Sequence, residues 1–244
     1  MRRSLVLIFT AVFGVVSIAF AISEFRQEEA KNNEVVVEVW SDVICPYCFL
    51  GKRKLERAIE KLGAKERVKV VWKAFQLSPN FPVDSALSSF TYLTEHRGYP
   101  EDRLKRSIQA LVDAGQPYGI EFNFDRALTY NTLKAHRLIQ WASTQEKGSA
   151  LKDALMEAYF TAGKDLSHED QLLQVVEATG LDKQEASTVL AGNQYLAEVK
   201  EHIRRAGQIG VSGVPFFLIN GEKQISGAQD DRVFESALEK ALGH

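Results

Sequence analysis

Cys45 and Cys48 are the only cysteines in the 244-residue chain, and they stand as Cys45-Pro46-Tyr47-Cys48. Two thiols at this spacing can ligate a metal, anchor a haem, close an inert disulfide or cycle between dithiol and disulfide. The count excludes a four-thiolate zinc site within one chain. The five histidines, at 96, 136, 168, 202 and 244, lie far from the pair and form no metal-spaced couple, so no metal is expected. Haem attachment needs a histidine after the second cysteine, and position 49 is Phe. A redox dithiol is favoured over an inert disulfide because of where the motif lies. Residues 34–41 (EVVVEVWS) read as a strand. After Cys48, Phe49, Leu50, Leu55, Ala58, Ile59 and Leu62 fall near a period of about 3.6.

The dithiol thus sits where a strand gives way to a helix. A helix N-terminus carries partial positive charge and unpaired N–H groups, which lower the pKa of a thiol placed there. Cys45 is expected at the helix start as the attacking sulfur, with Cys48 one turn in as the resolving one. Pro46 suits the first helical turn, where no N–H is needed. Lys52, Arg53 and Lys54 read as a solvated helix face. Trp40 and Phe49 flank the dithiol and read as core rather than groove. Asp42 reads as a cap for the turn rather than a proton shuttle. Glu38 reads as an outward strand charge, and His136 as a satisfied core histidine on an apolar stripe.

The elements that must hold this pair follow from the rest of the chain. Residues 67–76 read as a second strand, so the first part is strand, helix, strand, a parallel pair with a crossover helix. The middle reads as helices over 86–97, 101–115, 128–145, 148–162, 168–178, 183–192 and 194–207, with a hint of extended chain at 118–124. Asp182 and Asp230 stand at helix starts. Phe216–Ile219, Asn220-Gly221 and Lys223–Ser226 read as a hairpin, followed by a last helix over 231–242. Neither β-containing end makes a good sheet alone. Together they make four strands with helices on both faces. Sharing that sheet brings Val214 and Pro215 toward Cys45. Pro215, entering a strand, fits a cis-proline that presents the Val214 backbone to an extended substrate.

Composition excludes other classes. The chain is 45% apolar and 25% charged, with a formal charge of −2, so a nucleic-acid footprint is absent. Arg2 and Arg3 precede an apolar run over residues 5–22 that ends near Ala19-Phe20-Ala21. Residues 1–21 therefore read as a signal peptide or an N-terminal membrane anchor, and 22–33 as a spacer. Either reading puts the folded part outside the cytoplasm.

Four segments together resemble the DsbA-like thioredoxin-fold oxidoreductases, in particular the FrnE-like branch. They are Trp40-Ser-Asp42-Val-Ile-Cys45-Pro-Tyr-Cys48-Phe-Leu-Gly51, Asn131-Thr-x-x-Ala-His136, Gly210-Val-x-Gly-Val-Pro215-Phe-Phe and Ile225-Ser-Gly-Ala-Gln229. The resemblance implies an α/β thioredoxin fold with a large all-helical insertion domain. The thioredoxin-like part would comprise 34–79 plus 209–244, and the insertion 80–208. It also implies thiol–disulfide exchange with protein thiols, an unidentified redox partner and no cofactor. Many FrnE-like proteins look cytosolic, unlike a chain with an export segment. Tyr47 stands where DsbA has histidine, so a weaker oxidant is expected. The kappa-class glutathione transferases and 2-hydroxychromene-2-carboxylate isomerases share the architecture and supply an alternative, glutathione-dependent reading. A non-enzymatic holdase is a third.

Overall fold

The structure is a computed structural model and describes residues 34–243. The expected signal or anchor, with its apolar run 5–22, and the spacer lie outside the described residues. No described helix is long and apolar enough to cross a membrane.

The first strand, β1 (Val35–Ser41), leads into α1 (Pro46–Lys61), which crosses to β2 (Val68–Ala74). β1 and β2 pair in parallel from Val35↔Val68 to Ser41↔Ala74. The chain returns much later as β5 (Phe216–Ile219) and β6 (Lys223–Ser226), giving the sheet order β2-β1-β5-β6. The β5–β6 connection is a three-residue turn, Asn220-Gly221-Glu222, in which Asn220 and Gly221 take left-handed φ values of 49° and 75° and Glu222 N–H donates to Ile219 O at 3.0 Å. Asn220 also accepts from Val36 N–H through Oδ1 at 2.9 Å, pinning the turn to β1.

Alternation along β1 sorts the two layers. Val35, Val37 and Val39 face one side, where they join Phe217, Ile219, α1 and the last helix, α8 (Asp231–Leu242). Trp40 faces the other side with Phe216 and Leu218, beneath Ala206 of α7 (Leu196–Gln208). The Trp40 indole N–H donates to His202 O at 2.9 Å, so its one polar atom is satisfied in the core. Truncating a residue buried as fully as Phe217 would cost about 3–5 kcal/mol.

Between β2 and β5 lie α2 (Glu101–Gly115), α3 (Leu133–Ser143), α4 (Gly148–Phe160), α5 (Glu169–Ala178), α6 (Lys183–Ala191) and α7. Asp182 caps α6 by accepting from Glu185 N–H at 2.8 Å, and Asp230 caps α8 by accepting from Arg232 N–H at 3.1 Å. Three sequence expectations change. The helix expected over 86–97 begins as a strand, β3 (Ala86–Ser88), then a helical turn (Ser89–Thr91) and a π-helical turn (Tyr92–His96). The helix expected over 128–145 begins as β4 (Leu128–Tyr130), which pairs antiparallel with β3. Each of these three-residue strands is too short to show a period alone; pairing across forty residues of chain creates them. The stretch 118–124 is a loop between two 3₁₀ turns, not a strand.

Candidate active site

Cys45 is the N-cap of α1, with extended φ and ψ of −93° and 112°. Pro46 takes the first helical position, as its missing N–H allows. The N–H groups of Cys48 and Phe49 both donate to Cys45 O, at 3.0 and 3.2 Å, closing the first turn around the motif. Both cysteines are free thiols. Cys45 keeps 4% of its surface and Cys48 1%, while Tyr47 between them is 49% exposed. Cys45 is thus the less buried of the two sulfur-bearing residues, beside the exposed Tyr47.

The Val214–Pro215 peptide is cis, and Val214 O accepts from the Cys45 thiol at 3.6 Å. Gly227 N–H donates to Pro215 O at 2.8 Å, which ties this loop to the end of β6. The two ends of the chain therefore meet at Cys45, as the shared sheet requires.

Asp42 is fully buried and does cap the turn. Its Oδ1 accepts from Val43 N–H and its Oδ2 from Leu77 N–H, each at 2.8 Å. His136 Nε2 lies 3.1 Å from Asp42 Oδ1 and 3.0 Å from Phe75 O, so His136 is a satisfied core residue. Sequence reasoning treated Asp42 and His136 separately; the fold joins them beneath the dithiol. Trp40 lies on the α7 face and Phe49 stacks on Phe160 at 5.9 Å, so neither lines a groove. Glu38 is not an outward charge. It is largely covered by α7 and pairs with Lys73 at 3.2 Å and Arg205 at 2.7 Å.

Lys52, Arg53 and Lys54 do not form a solvated face. Lys52 is 2% exposed and pairs with Glu56 at 2.6 Å and Asp153 at 2.7 Å. Arg53 reaches Asp153 at 3.1 Å and Glu157 at 2.7 Å. Lys54 donates to Gln229 O at 2.8 Å. The basic run clamps α1 to α4 on one side and to the β6–α8 loop on the other.

The electrostatics of the dithiol divide the two sulfurs. A hydrogen bond with Cys48, then burial, then the Cys48 charge push the Cys45 thiol well above its ordinary range. Burial alone would raise Cys48 too. The bond from Cys45, the charge of Lys152, the Ser41 hydroxyl and the Asp42 backbone outweigh burial and hold Cys48 below its ordinary value. Ser41 Oγ is buried with no hydrogen-bond partner among the described residues, free to turn toward the sulfur. Cys45 thus has the access, and Cys48 has the better-stabilised charge. The sequence reading gave both properties to Cys45, on the partial positive charge of the helix N-terminus, and read Lys52, Arg53 and Lys54 as a solvated face. It missed Lys152, the cation that acts on Cys48.

The profile of the DSBA-like thioredoxin domain matches residues 36–239. The Bacillus subtilis protein YwbO is 27% identical over 211 residues, covering 84% of this chain and 96% of that protein. The probable DsbA oxidoreductase of Streptomyces coelicolor superposes with a TM-score of 0.82 at 30% identity, covering 86% of this chain and 91% of that one. The cytosolic disulfide reductase DsbM of Pseudomonas aeruginosa shares the fold, with a TM-score of 0.59 at 16% identity, covering 85% of this chain and 98% of that one.

Proposed function

The chain belongs to the DsbA-like thioredoxin-domain family, and from that premise we propose that it exchanges disulfides with protein thiols through Cys45 and Cys48, outside the cytoplasm. The observation that carries the reading is the meeting of three features: a Cys45 thiol at a helix N-cap, Cys48 in the next turn, and Val214 O at 3.6 Å. An extended substrate segment laid beside Val214 would have its sulfur at Cys45.

The chemistry balances as follows. Cys45 passes its proton to the neighbouring Cys48 thiolate and attacks one sulfur of a substrate disulfide. A Cys45–substrate bond forms, and the other substrate sulfur leaves with the electron pair and takes up a proton. Cys48 then loses its proton and attacks Cys45 Sγ. The Cys45–Cys48 bond closes, and the second substrate sulfur leaves as thiolate. Two electrons pass from the dithiol to the substrate. Run in reverse, the same steps oxidise a dithiol substrate, with Cys48 as the leaving thiolate. The external redox partner sets the direction.

Support for the location comes from the basic Arg2-Arg3 start, the apolar run and Ala19-Phe20-Ala21. The test is a Cys48→Ser variant expressed in its own host, fractionated and run on non-reducing gels. Mixed disulfides with proteins in the extracytoplasmic fraction are the expected result. An intact chain in the cytoplasm, or adducts with glutathione alone, would overturn the proposal.

A further inference from the structure

Lys152 stands in α4, far in sequence from the dithiol, and is 1% exposed. Among the described residues its ammonium has no ion pair; the neighbouring Asp153 is engaged by Lys52 and Arg53. Lys152 Nζ lies 5.2 Å from the centre of the Trp72 ring. That ring is fixed in turn, because Trp72 Nε1 donates to Ser149 Oγ, also on α4, at 2.7 Å. A desolvated ammonium over an indole face gains from the ring quadrupole. It still needs an opposite charge, since an isolated buried ion is costly.

The ionisable groups close enough to act on Lys152 are Cys48, Asp42, Cys45 and Lys52. Lys52 is a like charge, already neutralised by Glu56 and Asp153. The Asp42 carboxylate accepts from two backbone N–H groups and meets His136. Cys45 points its thiol at Val214 O. Cys48 has neutral neighbours in Cys45, Ser41 and the Asp42 backbone, and among the described residues Lys152 is the one cation that acts on it.

We infer that Lys152 is a positioning residue for the exchange reaction: its ammonium, delivered by the helical segment between β2 and β5, balances the thiolate that forms on Cys48. The inference rests on the dithiol reading above and adds to it a residue from outside the motif. In the mixed disulfide, the Cys48 thiol releases its proton to solvent. The thiolate pair then attacks Cys45 Sγ, the Cys45–substrate bond breaks, and the pair departs on the substrate sulfur. Lys152 keeps its proton throughout and exchanges no electrons. Burial draws Lys152 down to about 8, so the ammonium still predominates near neutral pH.

The decisive measurement needs no substrate, so it separates this inference from the choice of substrate. In a Cys45→Ser background Cys48 is the only thiol, and thiolate absorbance against pH gives its midpoint. Adding Lys152→Met should raise that midpoint by about one pH unit, with about tenfold slower iodoacetamide labelling near neutrality. Lys152→Arg should keep it close to the parent value. A folded Lys152→Met protein with an unchanged midpoint overturns the inference. Should that variant fail to fold, reciprocity serves with Lys152 intact. The ¹³Cε titration of Lys152 should shift to lower pH when Cys48→Ala is added to Cys45→Ser, and no shift overturns the inference.

Discussion

A Cβ placed on Gly51 would lie 3.0 Å from Cγ of Pro215 and 3.1 Å from Cζ of Phe217. α1 and the Val214–Pro215 loop touch through the side chain that Gly51 lacks. Gly51→Ala should favour the helix by up to about 1 kcal/mol in isolation, yet here it must push the loop outward by a few tenths of an ångström. The displacement loosens the approach of Val214 to Cys45. Exchange should slow about tenfold, equivalent to about 1.4 kcal/mol of barrier, while the melting temperature moves by only a few degrees. Insulin-reduction kinetics beside thermal melts would check it; a lost rate matched by a proportionate loss of fold would contradict the account.

The reduced dithiol should lose its two protons in separate steps. Lys152, Ser41 and the bond from Cys45 hold Cys48 below its ordinary value, and the charge then present on Cys48 holds Cys45 above. Thiolate absorbance should rise once below the ordinary thiol range and again well above it. In Cys48→Ser the raised step should disappear. A single two-proton step in the wild type would contradict the division of roles.

Asp42 and His136 should behave as a coupled buried pair. Asp42→Ala leaves the N–H groups of Val43 and Leu77 without their acceptor and His136 facing a void. A loss of about 3–5 kcal/mol is expected, as when one partner of a buried network is removed. A double-mutant cycle with His136→Phe should give a coupling of at least about 0.5 kcal/mol by urea unfolding. Simple additivity would mean that the 3.1 Å contact contributes nothing.

Lys152→Met should stabilise the reduced protein near neutrality. Folding lowers Lys152 from its ordinary 10.5 to about 8. Below about pH 8 both states hold the proton, and the folded state carries the cost of burying it. Between about 8 and 10.5 the unfolded chain keeps the proton and the folded chain has released it, so wild-type stability rises with pH. The variant should therefore lead by about 3 kcal/mol at pH 7, with the lead gone above about pH 10.5. Denaturant unfolding at the two pH values measures it. A lead independent of pH would show that folding leaves the titration of Lys152 unchanged.

The sheet was legible in the sequence because its signals are local: a valine-rich run into Cys45, and a hairpin marked by Asn220-Gly221. Joining the two ends needed only the observation that neither sheet half could be buried alone. The β3–β4 ladder was not legible, since three residues on each side carry no period and only their pairing makes them strands. The clamp formed by Lys52 and Arg53 was read as solvated because its acidic partners, Asp153 and Glu157, lie about a hundred positions away. Lys152 did carry a signal. It sits on the same helical stripe as Leu155, Met156 and Tyr159, at i+3, i+4 and i+7, so the helical period alone puts a charge on a buried face.

Synthesis from the N-terminus gives the long-range contacts at Cys45 an order in time. Glu157 emerges 104 positions after its partner Arg53, and Val214 emerges 169 positions after Cys45. A nascent or truncated chain that ends before α4 has both thiols but neither the Lys152 charge nor the Val214 carbonyl. Its cysteines would behave as ordinary thiols, and the exchange centre would switch on only when the last strands add to β1. The surroundings of Cys45 are thus complete only once Val214 and the strands β5 and β6 that follow it have been made.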